Sequence, residues 1–147
     1  GNGRFADVSD VGGPGILEQV PGRGCAVGDF NNDGSLDVVV NCVNDVPQLL
    51  SCRSTLKNNW LKIKTTGVKS NRSGIGARIY CSTPNHRQMD EVRSGSSYIS
   101  QNDLRVHFGL GAALKADLEI HWPSGVVDRL PGVKANQVIT VKEGLYS

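Results

Sequence analysis

The sequence predicts an all-β chain, and three observations carry that prediction. Glycine is frequent, at 18 of 147 residues, while aromatic residues make up 5%, so short apolar runs alternate with many turns. From Asn59 onward, apolar and polar residues alternate with period two in one segment after another, the pattern of strands with one covered face. Only "GAALKA" at 111–116 has a briefly helical pattern. A hydrophobic fraction of 38% allows a core, and a charged fraction of 20% does not point to disorder.

The charges divide the chain in two. Residues 1–50 hold two basic residues, Arg4 and Arg23, against seven acidic ones. Residues 51–147 hold fourteen basic against seven acidic. The formal net charge of +2 therefore covers an acidic piece joined near residue 55 to a basic one. The basic residues are neither dense nor interleaved with aromatics, which argues for a solvated surface over a nucleic-acid interface. No apolar stretch is long enough to span a membrane as a helix.

In the first piece, "GRFADVSDV" alternates weakly and ends at the turn Gly12-Gly13-Pro14-Gly15. "GCAVGDF" is a short apolar run, and "DVVVNC" is a β-branched run suited to a strand covered on both faces. "PQLLS" completes a four-stranded unit, the size of one propeller blade. In the second piece, Leu61 and Ile63 oppose Lys62 and Lys64. Leu104, Val106 and Phe108 oppose Arg105 and His107, and Leu118, Ile120 and Trp122 oppose Asp117, Glu119 and His121. Further strands are expected at 75–81, 86–93, 96–101, 126–130 and 137–142, giving a module of roughly eight half-exposed antiparallel strands.

The chemistry concentrates in "DFNNDGSLD". With Asp29 as position 1, side-chain oxygens fall at 1 (Asp29), 3 (Asn31), 5 (Asp33) and 9 (Asp37). Gly34 stands at the sharp turn, and Ser35 offers its backbone carbonyl. This is the ligand order of a calcium loop, because a hard cation takes six to eight oxygens and alternate spacing turns them inward. Without a cation, three neighbouring carboxylates repel. Position 12 is Val40 rather than glutamate, and Val38-Val39-Val40 is strand-like, so the loop joins two strands and is not an EF-hand. An ordinary acidic hairpin turn is the competing reading.

These residues resemble a known family pattern. "GDFNNDGSLDVVV" is similar to the FG-GAP/VCBS repeat, a propeller blade with a D-x-N-x-D-G-x-x-D calcium loop, and "GRFADVS" is similar to the strand ending a preceding repeat. "NNWLKI", "SNRSGIGARI", "EVRSGSSYISQNDLRVHFGLG", "LEIHWPSG" and "ANQVITV" resemble the ASPIC/UnbV domain, which follows FG-GAP repeats in secreted proteins. The resemblance implies an FG-GAP/VCBS-type repeat over 1–55 and an ASPIC/UnbV-like β domain over 56–147. It implies calcium held by Asp29, Asn31, Asp33, the Ser35 carbonyl and Asp37. It brings no catalytic residues. Such proteins usually carry several repeats, so the chain is expected to be a C-terminal fragment of a longer secreted protein.

Other constellations are weaker. His86, His107 and His121 have no ligand spacing. "SGSS" at 94–97 is not a nucleophile elbow, and "GIGA" at 74–77 lacks the rest of a dinucleotide loop. Asp90 and Glu91 are adjacent and so point to opposite strand faces. Asn71-Arg72-Ser73 matches an N-glycosylation pattern. Trp122 shares a face with Leu118 and Ile120 and reads as core, whereas Trp60 reads as an exposed aromatic. Cys25, Cys42, Cys52 and Cys81 form no C-x-x-C, and buried thiols or disulfides both stay open.

The reading is a single propeller-type blade with a calcium loop, followed by an antiparallel β-sandwich-like domain. Its expected function is that of a non-catalytic, extracellular, calcium-stabilised recognition or adhesion module. The expected partner is a protein or glycan surface, with self-association through exposed blade edges, and without nucleic acid or membrane insertion. The alternative is a carbohydrate-binding accessory module that stacks Trp60 on sugar rings beside Lys62 and Lys64.

Overall fold

The computed structural model describes residues 4–53 and 57–147. The expected division at residue 55 falls at 54–56, outside the described residues. The chain is nearly all-β, with ten strands in three sheets among the described residues. A 3₁₀ turn at Ser9–Val11 and one helical turn at Pro14–Leu17 precede them.

The first sheet is an antiparallel meander of β1 (Gly22–Gly28), β2 (Asp37–Cys42) and β3 (Gln48–Leu50). It has three strands where four were expected. Residues 4–11 of "GRFADVSDV" do not join it: among the described residues no sheet partner covers Phe5, Val8 or Val11, all of which are exposed. The valine run is not covered on both faces either. Val38 and Val40 are half-buried and Val39 is exposed, since among the described residues no layer packs over that face.

The second module packs two sheets face to face. One has the order β10–β4–β7, from β4 (Asn59–Thr66), β7 (Val106–Gly111) and β10 (Gln137–Lys142). The other has the order β6–β5–β8–β9, from β5 (Arg78–Thr83), β6 (His86–Glu91), β8 (Lys115–His121) and β9 (Val127–Lys134). Period two explains the core. Leu61, Ile63, Val106, Phe108 and Val141 from the first sheet meet Ile79, Cys81, Leu118 and Ile120 from the second. Trp122 joins this core and donates its indole N–H to Asp128 Oδ2 at 2.7 Å.

Four details differ from the pattern reading. β10 pairs with β4 in parallel, Ile139 opposite Ile63, because the returning chain enters from the far end of the sandwich. Residues 96–101 form a loop closed by a single bridge between Ser97 and Ser100. Residues 111–116 make the tight β7–β8 connection and the start of β8, not a helix. Seven strands, not eight, result among the described residues.

The two modules touch along the open edge of β1. Val27 N–H donates to Asn102 Oδ1 at 2.9 Å, and Asp103 N–H donates to the Val27 carbonyl at 3.0 Å. The 96–103 loop thus pairs with an edge strand that would otherwise be unpaired. At Gly24 a Cβ would collide with the Tyr98 carbonyl, so only glycine permits this approach.

Candidate functional site

The acidic loop leaves β1 at Asp29 and enters β2 at Asp37. Asp29 organises it from inside: its Oδ1 accepts the Asp33 N–H at 3.0 Å, and its Oδ2 accepts the Gly34 N–H at 2.8 Å. Asn31 Oδ1 accepts the Asp33 N–H at 3.1 Å, and Asp33 Oδ1 accepts the Ser35 N–H at 2.8 Å. Asp37 ties the start of the loop and the segment after β3 to the start of β2, accepting Phe30 N–H at 3.0 Å and Cys52 N–H at 2.9 Å. Such short polar side chains hold turns by replacing backbone partners.

The loop rests on the face of β4 and β7 that the alternation pattern assigned to solvent. Lys62 is 1% exposed, and its Nζ lies 2.6 Å from Asp29 Oδ2 and 3.2 Å from Asn32 Oδ1. His107, opposite Lys62 in the β4–β7 register, places Nε2 2.9 Å from the Gly34 carbonyl. That nitrogen must carry the proton, because a carbonyl only accepts. Arg105 donates to Asn32 Oδ1 at 2.8 Å and pairs with Asp103 at 2.5 Å. Lys62 is therefore buried where a half-exposed lysine was expected, because the loop covers it.

Trp60 is likewise not the open aromatic expected. It is half-buried, stacks near His107 at 6.3 Å between centroids, and lies over Gly34. Gly34 has φ +93, and a Cβ there would collide with the Trp60 indole. The platform of Trp60, Lys62 and Lys64 for sugar stacking is not formed. Only Lys64 of the three is exposed.

The electrostatics follow the contacts. Burial pushes the Asp29 carboxyl up, but the Lys62 ammonium and the Gly34 and Asp33 N–H groups outweigh it and hold it below its ordinary value. The Asp33 carboxyl is lowered chiefly by the Ser35 N–H and by Asn31. Burial lowers the pKa of His107, partly opposed by its bond to the Gly34 carbonyl. Burial raises the Asp103 carboxyl, and Arg105 more than reverses it.

The donor chemistry suits calcium: carboxylates, an amide and a carbonyl, all oxygen, in alternate positions. Asp37 is 4% exposed, and like Asp128 and Glu143 it is held by backbone N–H groups with no cationic side chain among the described residues beside it. Lys62 offsets one of three carboxylates, leaving the charge that one divalent ion balances. The three carboxylates are spread along the loop: among the described residues no three acidic, histidine or cysteine side chains gather at metal distance.

Two further buried carboxylates had no sequence signal. Glu143, just after β10, accepts the N–H groups of Val68, Lys69 and Ser70 at 2.6, 2.7 and 2.8 Å on Oε2, and the Ser70 and Ser124 hydroxyls on Oε1. Burial raises its carboxyl, but Ser124 and these N–H groups bring it down to about 2. It thereby staples the "SNRSG" loop to the "HWPSG" turn. Asp128, fully buried, accepts Gly144 and Tyr146 N–H groups at 2.8 and 2.7 Å. The Asn71 amide of the glycosylation pattern closes its own loop through both Ile75 backbone groups. All four cysteines are free thiols: Cys42 and Cys81 buried, Cys25 half-buried and Cys52 exposed.

The family model described as ASPIC and UnbV matches residues 67–145. Over 120 residues the chain is 32% identical to cartilage acidic protein 1 of Xenopus tropicalis, covering 78% of this chain and 18% of that protein. It is 30% identical over 143 residues to cartilage acidic protein 1 of Mus musculus and of Homo sapiens, covering 90% of this chain and 21% of each. The chain thus spans 18% to 21% of the length of these curated relatives.

Proposed function

Because the chain belongs to the ASPIC and UnbV family, we propose that it is a non-catalytic extracellular recognition module. In this reading an FG-GAP/VCBS-type repeat, the β1–β3 meander, is locked by its acidic loop onto the family's β-sandwich. The carrying observation is the state of the side chains at the junction. A cavity of about 140 Å³ there is lined by Asp29, Lys62, Asp90, Asp103, Arg105 and His107. Each is already paired: Asp29 with Lys62, Asp103 with Arg105, Asp90 with Arg93, and His107 with the Gly34 carbonyl. These pairs fix the acidic loop on the sandwich, which supports a rigid surface suited to recognition.

Calcium is the proposed ligand of the loop, held by Asp29, Asn31, Asp33, the Ser35 carbonyl and Asp37. Bound there, it would neutralise Asp37 and Asp33 and stabilise the meander by mass action, so millimolar extracellular calcium suffices even for a weak site. The proposed partner is a protein or glycan surface, and the outer edge of the meander is the proposed contact for self-association. No helix among the described residues is long and apolar enough to cross a membrane.

Calcium titration by calorimetry on the EDTA-stripped chain tests the ligand. One-site heat that disappears in Asp33→Ala is the expected result. No heat at millimolar calcium removes calcium from the proposal.

A further inference from the structure

We infer that Lys62 is the built-in counter-ion of the acidic loop: its ammonium holds the loop on the β4–β7 face without an added ion. The Lys62 and Asp29 side chains are 1% and 0% exposed and 2.6 Å apart. A carboxylate removed from water to that degree is held by N–H donors, by a cation or by both; Asp29 has both, and losing the cation of a buried pair is far costlier than never having the pair.

Lys62 is also placed to be permanent. It belongs to the central strand of its sheet, paired on one side with Val138 and on the other with His107. Its neighbours Leu61 and Ile63 are fully buried in the core, so the strand cannot slip without emptying that core. The second ammonium hydrogen bond, to Asn32, and the Trp60 ring 5.4 Å from Nζ complete its surroundings. Lys64 lies two residues along on the same face and is exposed. The face as such does not bury lysine; the loop does.

This role does not rest on calcium. Lys62 compensates Asp29 in either case, and calcium concerns the charges that remain on Asp33 and Asp37. The junction between the modules therefore has its own fixed charge, supplied by the second module to the first.

The test is hydrogen exchange at the Asp33 and Gly34 amides, which bond to Asp29, together with thermal melting. Both are measured in EDTA and in millimolar calcium on the chain, Lys62→Met, Lys64→Met and Asp29→Asn/Lys62→Met. In EDTA the unaltered chain and Lys64→Met keep both amides protected. Lys62→Met exchanges them faster by about a hundredfold or more and melts lower. The double variant, with both charges gone, recovers part of the melting temperature; the rest is lost because asparagine has one acceptor oxygen for the Asp33 and Gly34 N–H groups. If Lys62→Met cannot be produced folded, recovery in the double variant alone decides the matter in favour. Protection in Lys62→Met equal to the unaltered chain overturns the assignment. So does an unaltered chain whose amides are protected only in calcium, or a double variant no better than Lys62→Met. Failure of the calcium proposal shows separately, as no calcium response in any variant.

Discussion

Lys62 and His107 face each other across β4 and β7, and both reach the same loop, Lys62 to Asp29 and His107 to the Gly34 carbonyl. A cross-strand polar pair is normally a pair on a wet face. Here it is the floor under an acidic loop that joins two strands of another sheet.

Gly34→Ala should damage the junction more than a left-handed glycine elsewhere. Its φ is +93 and its Cβ would collide with the Trp60 indole, whereas Gly125, with φ +88, faces open space. The expected loss is about 3 kcal/mol for Gly34→Ala against about 1 kcal/mol for Gly125→Ala, measured by urea unfolding. Equal losses would mean that Trp60 moves aside freely.

Acid should weaken the chain through Glu143. Its carboxyl sits at about 2 when folded against an ordinary 4.5, so its stabilisation is complete above pH 4.5 and is lost as pH falls through about 2. Glu143→Gln should therefore melt below the unaltered chain at neutral pH, with the gap closing toward pH 2. A gap constant over that range would assign the effect to shape rather than charge.

Trp122→Phe keeps the ring in the core but withdraws the indole N–H from Asp128, which is 0% exposed. A loss of about 2 kcal/mol is expected by denaturant unfolding. Replacing Asp128 by asparagine in the same background measures how much of that is the unpaired carboxylate.

The thiols should react in order of exposure. Cys52 is exposed and should label with a disulfide reagent at once. Cys81 is buried in the sandwich, where burial and then Asp117 push its thiol up to about 11, so it should label only on unfolding. Fast labelling of Cys81 would show that the sandwich opens readily.

The sandwich was legible because its strands keep one apolar and one polar face: Leu61 and Ile63, Val106 and Phe108, Leu118 and Ile120 all point inward as period two requires. The place of the acidic loop between two strands was legible too, and there Asp29, Asn31 and Asp33 each accept a nearby backbone N–H through local bonds. What failed was long-range. Alternation marks Lys62 as polar but not what covers it, and its partner Asp29 lies in another sheet. The parallel return of β10 beside β4 leaves no mark in either strand. Glu143 reads as a surface glutamate because the N–H groups it accepts, at 68–70, are more than seventy residues away. "GRFADVSDV" alternates, yet its residues 4–11 join no sheet among the described residues. The one long-range hint was the charge division: an acidic first piece and a basic second one attract, and Asp29 with Lys62 is where they meet.

A crystal structure of the chain grown in calcium would test the junction most directly. Lys62 Nζ is expected within hydrogen-bond distance of Asp29, the loop seated over Trp60 and His107, and calcium on the side of Asp33 and Asp37. A loop lifted away from β4, with Lys62 turned to solvent and Asp29 held by the metal alone, would contradict it.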